Sequence, residues 1–402
     1  MPLAQFRNLG AIIEAIINST SCLSQESKFV HHVLDPYVEM SLKEGERMRR
    51  TDPTTGIDII GMRSDTLIPR QIDKFWASLE NKMNHQLLFR DTVCNRAYND
   101  ITIIASSVVS DKEMILAKPS WGEEIPKLLN WIEEADCRLI LHVEWAVRVK
   151  QCLRVVVVSN DTDTFTLLLH YTPYLQTLGL KELWQQYGTG EHRRKLPLHQ
   201  VISHLGAPLD KTVIKAHILT GEDCTSKVGT KHASIACDPV QYLTNFGDTD
   251  TLSEQDAALA ERYLVCVWAG ATSTTTAETF DQLRFENYTG CSAGIDSLPL
   301  TSSVIRGHIK RGFFLVYRSC HLFVTTDEHE ANLTPMEHEW EEFFGSLLPR
   351  QCMRPLPHSL LTTCKCPGKC TTKVCSCRSA GVRCDIFCHG KTDNSKCEKF
   401  QN

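Results

Sequence analysis

The chain predicts an α/β domain on a parallel sheet, then a helical region and a small cysteine-rich module, on three observations. Strand-like and helix-like apolar patterns alternate through residues 1–238, the pattern turns mainly helical over 239–350, and nine of the 18 cysteines fall between Cys352 and Cys397. Alternating strands and helices argue for a parallel sheet with helices on both faces. At 402 residues and 42% hydrophobic, the chain can bury at least one sizeable core and has room for two or three domains.

Taken in order, Phe6 to Ile17 reads as an amphipathic helix, with Ile12, Ile13, Ile16 and Ile17 apolar and Glu14 polar. Phe29 to Leu34 predicts a strand that ends at Asp35 and leads into Lys43, Arg47, Arg49 and Arg50. Taken alone, that basic segment is equally an exposed charged helix. Asp52 to Gly61 predicts an exposed loop, and Ile101 to Ser107 a second strand. Glu133-Glu134-Ala135-Asp136 opens a helical pattern that runs through Ile140, Val143 and Val147.

The run Val155-Val156-Val157-Val158 then ends in Ser159-Asn160-Asp161-Thr162-Asp163. A strand buried on both faces of a parallel sheet reads as a continuous apolar run, and ligands collect beyond its carboxyl end. Asp161 and Asp163 present oxygen ligands there or cap a helix over Thr164 to Leu169. Gly188 to Lys195 joins glycines to a basic run and predicts a hairpin turn in preference to a phosphate-contacting loop, since nothing in Gly-x-Gly specifies a ligand. A helix over Val213 to Leu219 leads into Gly221-Glu222-Asp223-Cys224. Further helices are predicted over Asp256 to Ala269, Thr276 to Glu286, Ser302 to Tyr317 and Glu337 to Leu347, with Trp268, Trp340, Phe343 and Phe344 as packing residues. The Pro-rich stretch Leu348 to Pro357 predicts a linker.

Singly, each acidic cluster is a set of helix-start carboxylates stabilised by the macrodipole. Together they supply enough oxygen ligands for two hard cations. Two such ions about 4 Å apart activate water and stabilise the leaving oxygen of a phosphodiester. Glu134-x-Asp136, then Asp161-x-Asp163, then Gly221-x-Asp223-Cys224 followed by Gly229-Thr230-Lys231, resembles the flap-endonuclease-like 5′ nucleases, over roughly residues 29 to 237. The resemblance implies a PIN-like sheet flanked by helices, with two Mg²⁺ or Mn²⁺ ions held by Asp35, Glu134, Asp136, Asp161, Asp163 and Asp223. It implies that Lys43 and Arg47 stabilise developing charge, that Arg49 and Arg50 contact the substrate strand, and that Gly229 and Lys231 grip duplex backbone. Two departures stand out. The family's first acidic pair is Glu-x-Glu, and it carries a further aspartate on a first strand, whereas this chain offers none before Asp35. The chain therefore reads as beginning after that strand, or as having lost a ligand.

Cys364, Cys366, Cys370, Cys375, Cys377, Cys384, Cys388 and Cys397 follow a metal-ligand-like spacing. The start of the chain has no signal-peptide pattern, and no run approaches a membrane span. A nuclear or otherwise intracellular setting, not a secreted one, is expected, with reduced thiols and no membrane partner, so zinc thiolates are favoured over disulfides. The spacing resembles the CXC module of the tesmin family, which implies two or three Zn²⁺ ions joined through shared sulfurs. In that family a Cys-x-Cys follows the sixth cysteine; here the sequence is Cys388-His389-Gly390, leaving His389, His358 or Cys352 as candidates for the ninth ligand. From Cys352 onward, nine Lys and Arg, among them Lys373, Arg378 and Arg383, stand against Asp385, Asp393 and Glu398, while the whole chain carries a formal charge of -5. A basic tail on an acidic protein is an electrostatic footprint for nucleic acid. The family's DNA-reading tyrosine is replaced by Val374, which favours backbone contact over sequence readout.

The combination resembles transposon-associated animal proteins. It leads to the expectation of a divalent-metal-dependent, structure-specific nuclease on DNA, with RNA as a further possible substrate, tethered by its zinc module. The alternative is an inactive nuclease-derived factor that binds DNA or protein.

Overall fold

The structure is a computed structural model that describes residues 6–23, 27–35, 41–43, 56–94, 102–110, 113–118, 121–122, 128, 132, 134–228, 236–270, 272–290, 298–323, 333–343 and 346–350. In the cysteine-rich segment it describes 362, 364, 366, 370–384 and 388. The first half contains α1 (Leu9–Leu23), β1 (Phe29–His32), α2 (Ile72–Ala77), α3 (Leu79–Cys94), β2 (Thr102–Ser110), β3 (Glu113–Lys118), β4 (Trp121–Gly122), α4 (Ala135–Arg148), β5 (Arg154–Val158), α5 (Thr162–Thr177), β6 (Glu182–Tyr187), β7 (Arg194–Pro197), α6 (Leu198–Leu205) and α7 (Ala207–Thr220). After it come α8 (Pro239–Leu243), α9 (Glu254–Ala269), α10 (Phe280–Gly290), α11 (Ser302–Cys320), β8 (Trp340–Phe343), β9 (Ser346–Pro349) and the short α12 (Ser376–Ser379).

The mixed α/β class is present, but the sheets are small and mixed rather than one parallel sheet. β1 pairs in parallel with β2, whose other neighbour β3 runs antiparallel and is followed by β4. β5 pairs in parallel with β6, and β7 returns antiparallel as a hairpin. Among the described residues, β1 and β5 are therefore edge strands. This corrects the expectation of a strand buried on both faces at Val155–Val158: Val157 is buried, whereas Val156 and Val158 are 43% and 58% exposed. An uninterrupted β-branched run reports strand propensity as well as burial, and here propensity accounts for half of it.

A helix over Glu337 to Leu347 is also corrected. Pro335–His338 forms a short 3-10 turn, Glu339 takes a left-handed conformation (φ 65°), and the chain then runs as the antiparallel pair β8–β9. Left-handed backbone cannot continue a right-handed helix. Trp340 and Leu347 still enter the core, but Phe343 is 57% exposed and Phe344 lies outside the described residues.

The largest apolar cluster runs from Leu42 and Ile104 through α4, α5, α7, α9 and α11 to Trp340 and Leu347. One close seam in it is α7 on α11. A Cβ at Gly312 would lie 2.7 Å from Leu219 Cδ2, and His308 Nε2 donates to the Leu219 carbonyl at 2.7 Å. That seam fixes the end of α7, from which Glu222 and Asp223 follow. Gly312→Val is therefore expected to lower stability by about 1–3 kcal/mol through overpacking, read as a shift of the urea midpoint; an unchanged midpoint would show that this seam is loose.

Candidate functional site

The first turn of α4 organises the acidic site. Asp35, beyond the end of β1, accepts a hydrogen bond from the Ala135 amide at 2.9 Å and so caps the helix. Glu134, at the N-cap position, forms an ion pair with Lys43. One residue into the helix, Asp136 accepts a hydrogen bond from the Thr164 hydroxyl, which itself lies 2.9 Å from Ser159 Oγ at the end of β5. α5 is capped by Asp161, whose carboxylate accepts from the Asp163 amide at 3.0 Å. Because Asp161 is the cap, the helix begins at Thr162, two residues before the expected start at Thr164, and it runs eight residues past the expected end at Leu169, to Thr177.

Glu134, Asp136, Asp163 and Asp223 line one cavity of about 60 Å³, together with Lys43. Asp35 and Asp161 do not line it; they hold the two helix starts that surround it. Arg47, Arg49, Arg50, Gly229 and Lys231 lie outside the described residues.

Two further residues join the cavity that were not singled out as ligands. His217, on the last turns of α7, donates through Nε2 to Asp163 Oδ1 at 2.5 Å, and Glu222 lines the wall next to Asp223. Glu222 was visible as the neighbour of Asp223; His217 carried only its place about one and a half turns before Glu222 on an apolar helix. The turn that presents Glu222 needs Gly221, whose φ is +116° and whose Cβ position lies 2.6 Å from Lys227 Cα. Thr225 closes it by accepting from the Glu222 amide at 2.9 Å and donating to the Ile218 carbonyl at 2.8 Å.

Burial, with smaller contributions from Asp163 and Glu134, pushes the Glu222 carboxyl well above its ordinary range. Burial likewise raises Asp136 to about 6, partly opposed by the Thr164 hydrogen bond and assisted by the charge of Asp161. For Lys43, burial acts to lower its pKa, but the charges of Glu134 and Asp35 outweigh it and the ammonium is held protonated. Its Nζ also lies 3.9 Å from Asp223 Oδ2. Lys43 is thus a fixed counter-cation inside an acidic pocket. Among the described residues, no three of these carboxylates and imidazoles bring ligand atoms within 4.8 Å of one another.

The second cluster does. Cys364, Cys375, Cys377 and Cys384 form one group within 4.8 Å, and Cys364, Cys366, Cys370 and Cys375 form another, so Cys364 and Cys375 belong to both. The sulfurs of Cys364 and Cys370 are 3.7 Å apart, those of Cys364 and Cys384 3.8 Å, those of Cys370 and Cys384 3.8 Å, and those of Cys377 and Cys388 3.6 Å. A Zn–S bond near 2.3 Å in a tetrahedron places neighbouring sulfurs about 3.8 Å apart, whereas a disulfide needs about 2.05 Å. The cluster therefore has the geometry of metal thiolates. Arg378 donates to the Cys370 carbonyl at 3.1 Å, where Cys370 takes a left-handed φ of 48°, so at least this contact of Arg378 is structural. Lys373 and Arg383 are exposed, and Val374 is 92% exposed on the same turn as Lys373. Cys397, Cys352, His358 and His389 lie outside the described residues.

The raised Asp136 value sets a pH dependence. Its unfolded pKa is about 3.9 and its folded value about 6, so the native state prefers the protonated form. The stability it contributes is present below about pH 4 and is lost as pH rises through 6. In buffer without divalent cations, Asp136→Asn is expected to remove this component, making melting temperature fall less between pH 4 and 6 than in the parent; parallel curves would refute it. No family model, curated protein or solved structure matches this chain.

Proposed function

We propose that the chain is a divalent-metal-dependent phosphodiester hydrolase acting on DNA, with a zinc-thiolate module that holds it to the polyanion. The observation that carries this reading is the convergence of Glu134, Asp136, Asp163 and Asp223 from three separate segments on one cavity, beside a basic side chain. An all-oxygen carboxylate set suits Mg²⁺ or Mn²⁺, and these four residues would hold the ions. When bound, such ions supply an activated water and stabilise the leaving oxygen. Asp35 and Asp161 act through the backbone, by fixing the starts of α4 and α5. His217 orients Asp163. Lys43, released from Glu134, is placed to meet a phosphate oxygen. A PIN-like ancestry is consistent with the parallel pairs β1–β2 and β5–β6 and with acids beyond their carboxyl ends.

A second reading, a DNA- or protein-binding factor without catalysis, is favoured by one observation: Lys43 already neutralises Glu134, and the carboxylates are more widely spread than one ion requires. Under either reading, the exposed Lys373 and Arg383 serve DNA through its backbone. Among the described residues, no helix is long and apolar enough to cross a membrane.

Cleavage of end-labelled 5′-flap, duplex and single-stranded DNA with Mg²⁺ or Mn²⁺ separates the readings. On the hydrolase reading, Asp163→Asn lowers the rate by at least about 100-fold, while Asp161→Ala, a capping change, costs about 1 kcal/mol of stability and less activity. Cutting that survives Asp163→Asn, or no cutting by the parent, sinks the hydrolase reading. For the module, Cys364→Ser and Cys375→Ser are each expected to lower bound zinc, measured by elemental analysis, more than Cys366→Ser does. Equal losses would show that no sulfur is shared.

A further inference from the structure

One buried polar cluster lies apart from the acidic cavity, on the face of α4 that meets β1. Arg138 is fully buried (0% exposed), and His142, four residues on and on the same face of the helix, is 4% exposed. His31 reaches in from β1, its Nδ1 lying 2.8 Å from His142 Nδ1 and its ring centroid 5.3 Å from that of Trp145. Among the described residues, the hydrogen bond of the Arg138 guanidinium is a long one from Nη1 to the Ile132 carbonyl, at 3.5 Å. Among the described residues, Arg138 Nε and Nη2, His142 Nε2 and His31 Nε2 have no hydrogen-bond partner.

The pattern of missing partners is specific. Nε and Nη2 form one edge of the guanidinium, the two parallel N–H groups that grip carboxylate or phosphate oxygens as a fork. The imidazole pair adds a third donor. Two neutral rings in an Nδ1···Nδ1 hydrogen bond need one Nδ1–H, so the ring that accepts must carry its own proton on Nε2. Among the described residues, three donor nitrogens are thus buried without an acceptor, although buried donors are nearly always paired. Asp35 is close enough for its charge to act on Arg138, yet its carboxylate caps Ala135 and forms no ion pair with the guanidinium within 4.0 Å. A buried cation lacking an ion pair is costly, and burial accordingly lowers the Arg138 pKa to about 10. His31 as a whole is only partly buried, although its Nε2, like the unpaired nitrogens of Arg138 and His142, is closed to solvent.

We propose that Arg138, His142 and His31 form a binding site for a small oxyanion, of the phosphate, sulfate or carboxylate class, in the seam between α4 and β1. The anion supplies the acceptors that the three donors lack, and it links the helix carrying Glu134 and Asp136 to the strand that leads to Asp35. The site is independent of the hydrolase reading and does not need metal in the acidic cavity.

The test uses the full chain in chloride buffer at fixed ionic strength, with phosphate, sulfate or acetate replacing chloride. Melting temperature and Trp145-dependent fluorescence are followed. The parent is expected to show a saturable rise in melting temperature and a saturable fluorescence change. A general, non-saturating salting effect of sulfate and phosphate is expected in every variant. Arg138→Met is expected to lose the saturable part and, freed of an uncompensated charge, to melt higher than the parent in chloride. Arg138→Lys, which keeps the charge but loses the fork, should bind at least tenfold more weakly and covers the case in which Arg138→Met fails to fold. No saturable response in the parent, or the same affinity in the parent and Arg138→Lys, would overturn the proposal. Phosphate bound by the basic cysteine module would be insensitive to both substitutions and would count against it in the same way.

Discussion

Most of the candidate site in this fold depends on the first turn of α4. Within three residues, a backbone amide takes a cap from Asp35, Glu134 pairs with Lys43, and Asp136 is bonded to Thr164. That turn therefore joins the end of β1, the segment after it and the start of α5. A helix N-terminus stabilises carboxylates through its unpaired N–H groups and its dipole, which explains how so many acids are held close together without a metal in the accounting. The same field fixes Asp161 at the start of α5. The two caps are acids whose role is positional, and they free Asp136 and Asp163 to face the cavity.

The acids at strand ends were legible in the sequence because they depend on local rules: β-branched residues make the strand, and an acid two residues before another caps a helix. β5 and the existence of a helix after it follow on that basis, although the expected Thr164 to Leu169 falls short of the observed Thr162–Thr177 at both ends. How the strands assemble was not legible. Whether Val156 and Val158 are covered depends on which strand lies beside β5 and what packs on its far face, and neither is written in the run itself. The Trp340 to Leu347 segment failed for a related reason. Its apolar spacing fits a helical stripe, but the left-handed residue at Glu339 and the pairing of Trp340 with Pro349 are non-local outcomes. His217 and Arg138 were also missed, since a single polar residue on an apolar helix carries no period that separates a ligand from a satisfied core residue.

The cysteine module reaches order by another route. Apart from Val382, the packed residues of its small core are cysteines, with Cys364, Cys370, Cys375, Cys377, Cys384 and Cys388 buried. So short a segment cannot offset chain entropy by apolar burial alone. Sulfur separations near those of a metal-thiolate tetrahedron, together with a left-handed Cys370 tied down by Arg378, indicate that the loop conformations serve the ligand positions. Here the sequence spacing was a strong guide, because closely spaced cysteines leave few ways to close a tetrahedron.

Charge balance links the two ends of α4's first turns. On the cavity side, carboxylates outnumber the cations, Lys43 serves as the internal counter-charge, and burial holds Asp136 and Glu222 toward their protonated forms. On the β1 side, Arg138 and two imidazoles carry donors without acceptors. The helix thus separates an excess of negative charge from an excess of positive donors over a few residues, and neither side can relieve the other because Asp35 is committed to the Ala135 amide. A divalent cation in the cavity would remove the cost of ionising the acids, and an oxyanion in the seam would remove the cost of burying Arg138. Each ligand would stabilise the same turn from its own side. In a small, tightly packed segment this is the condition under which two sites become thermodynamically coupled, since whatever orders the turn for one ligand lowers the ordering cost for the other.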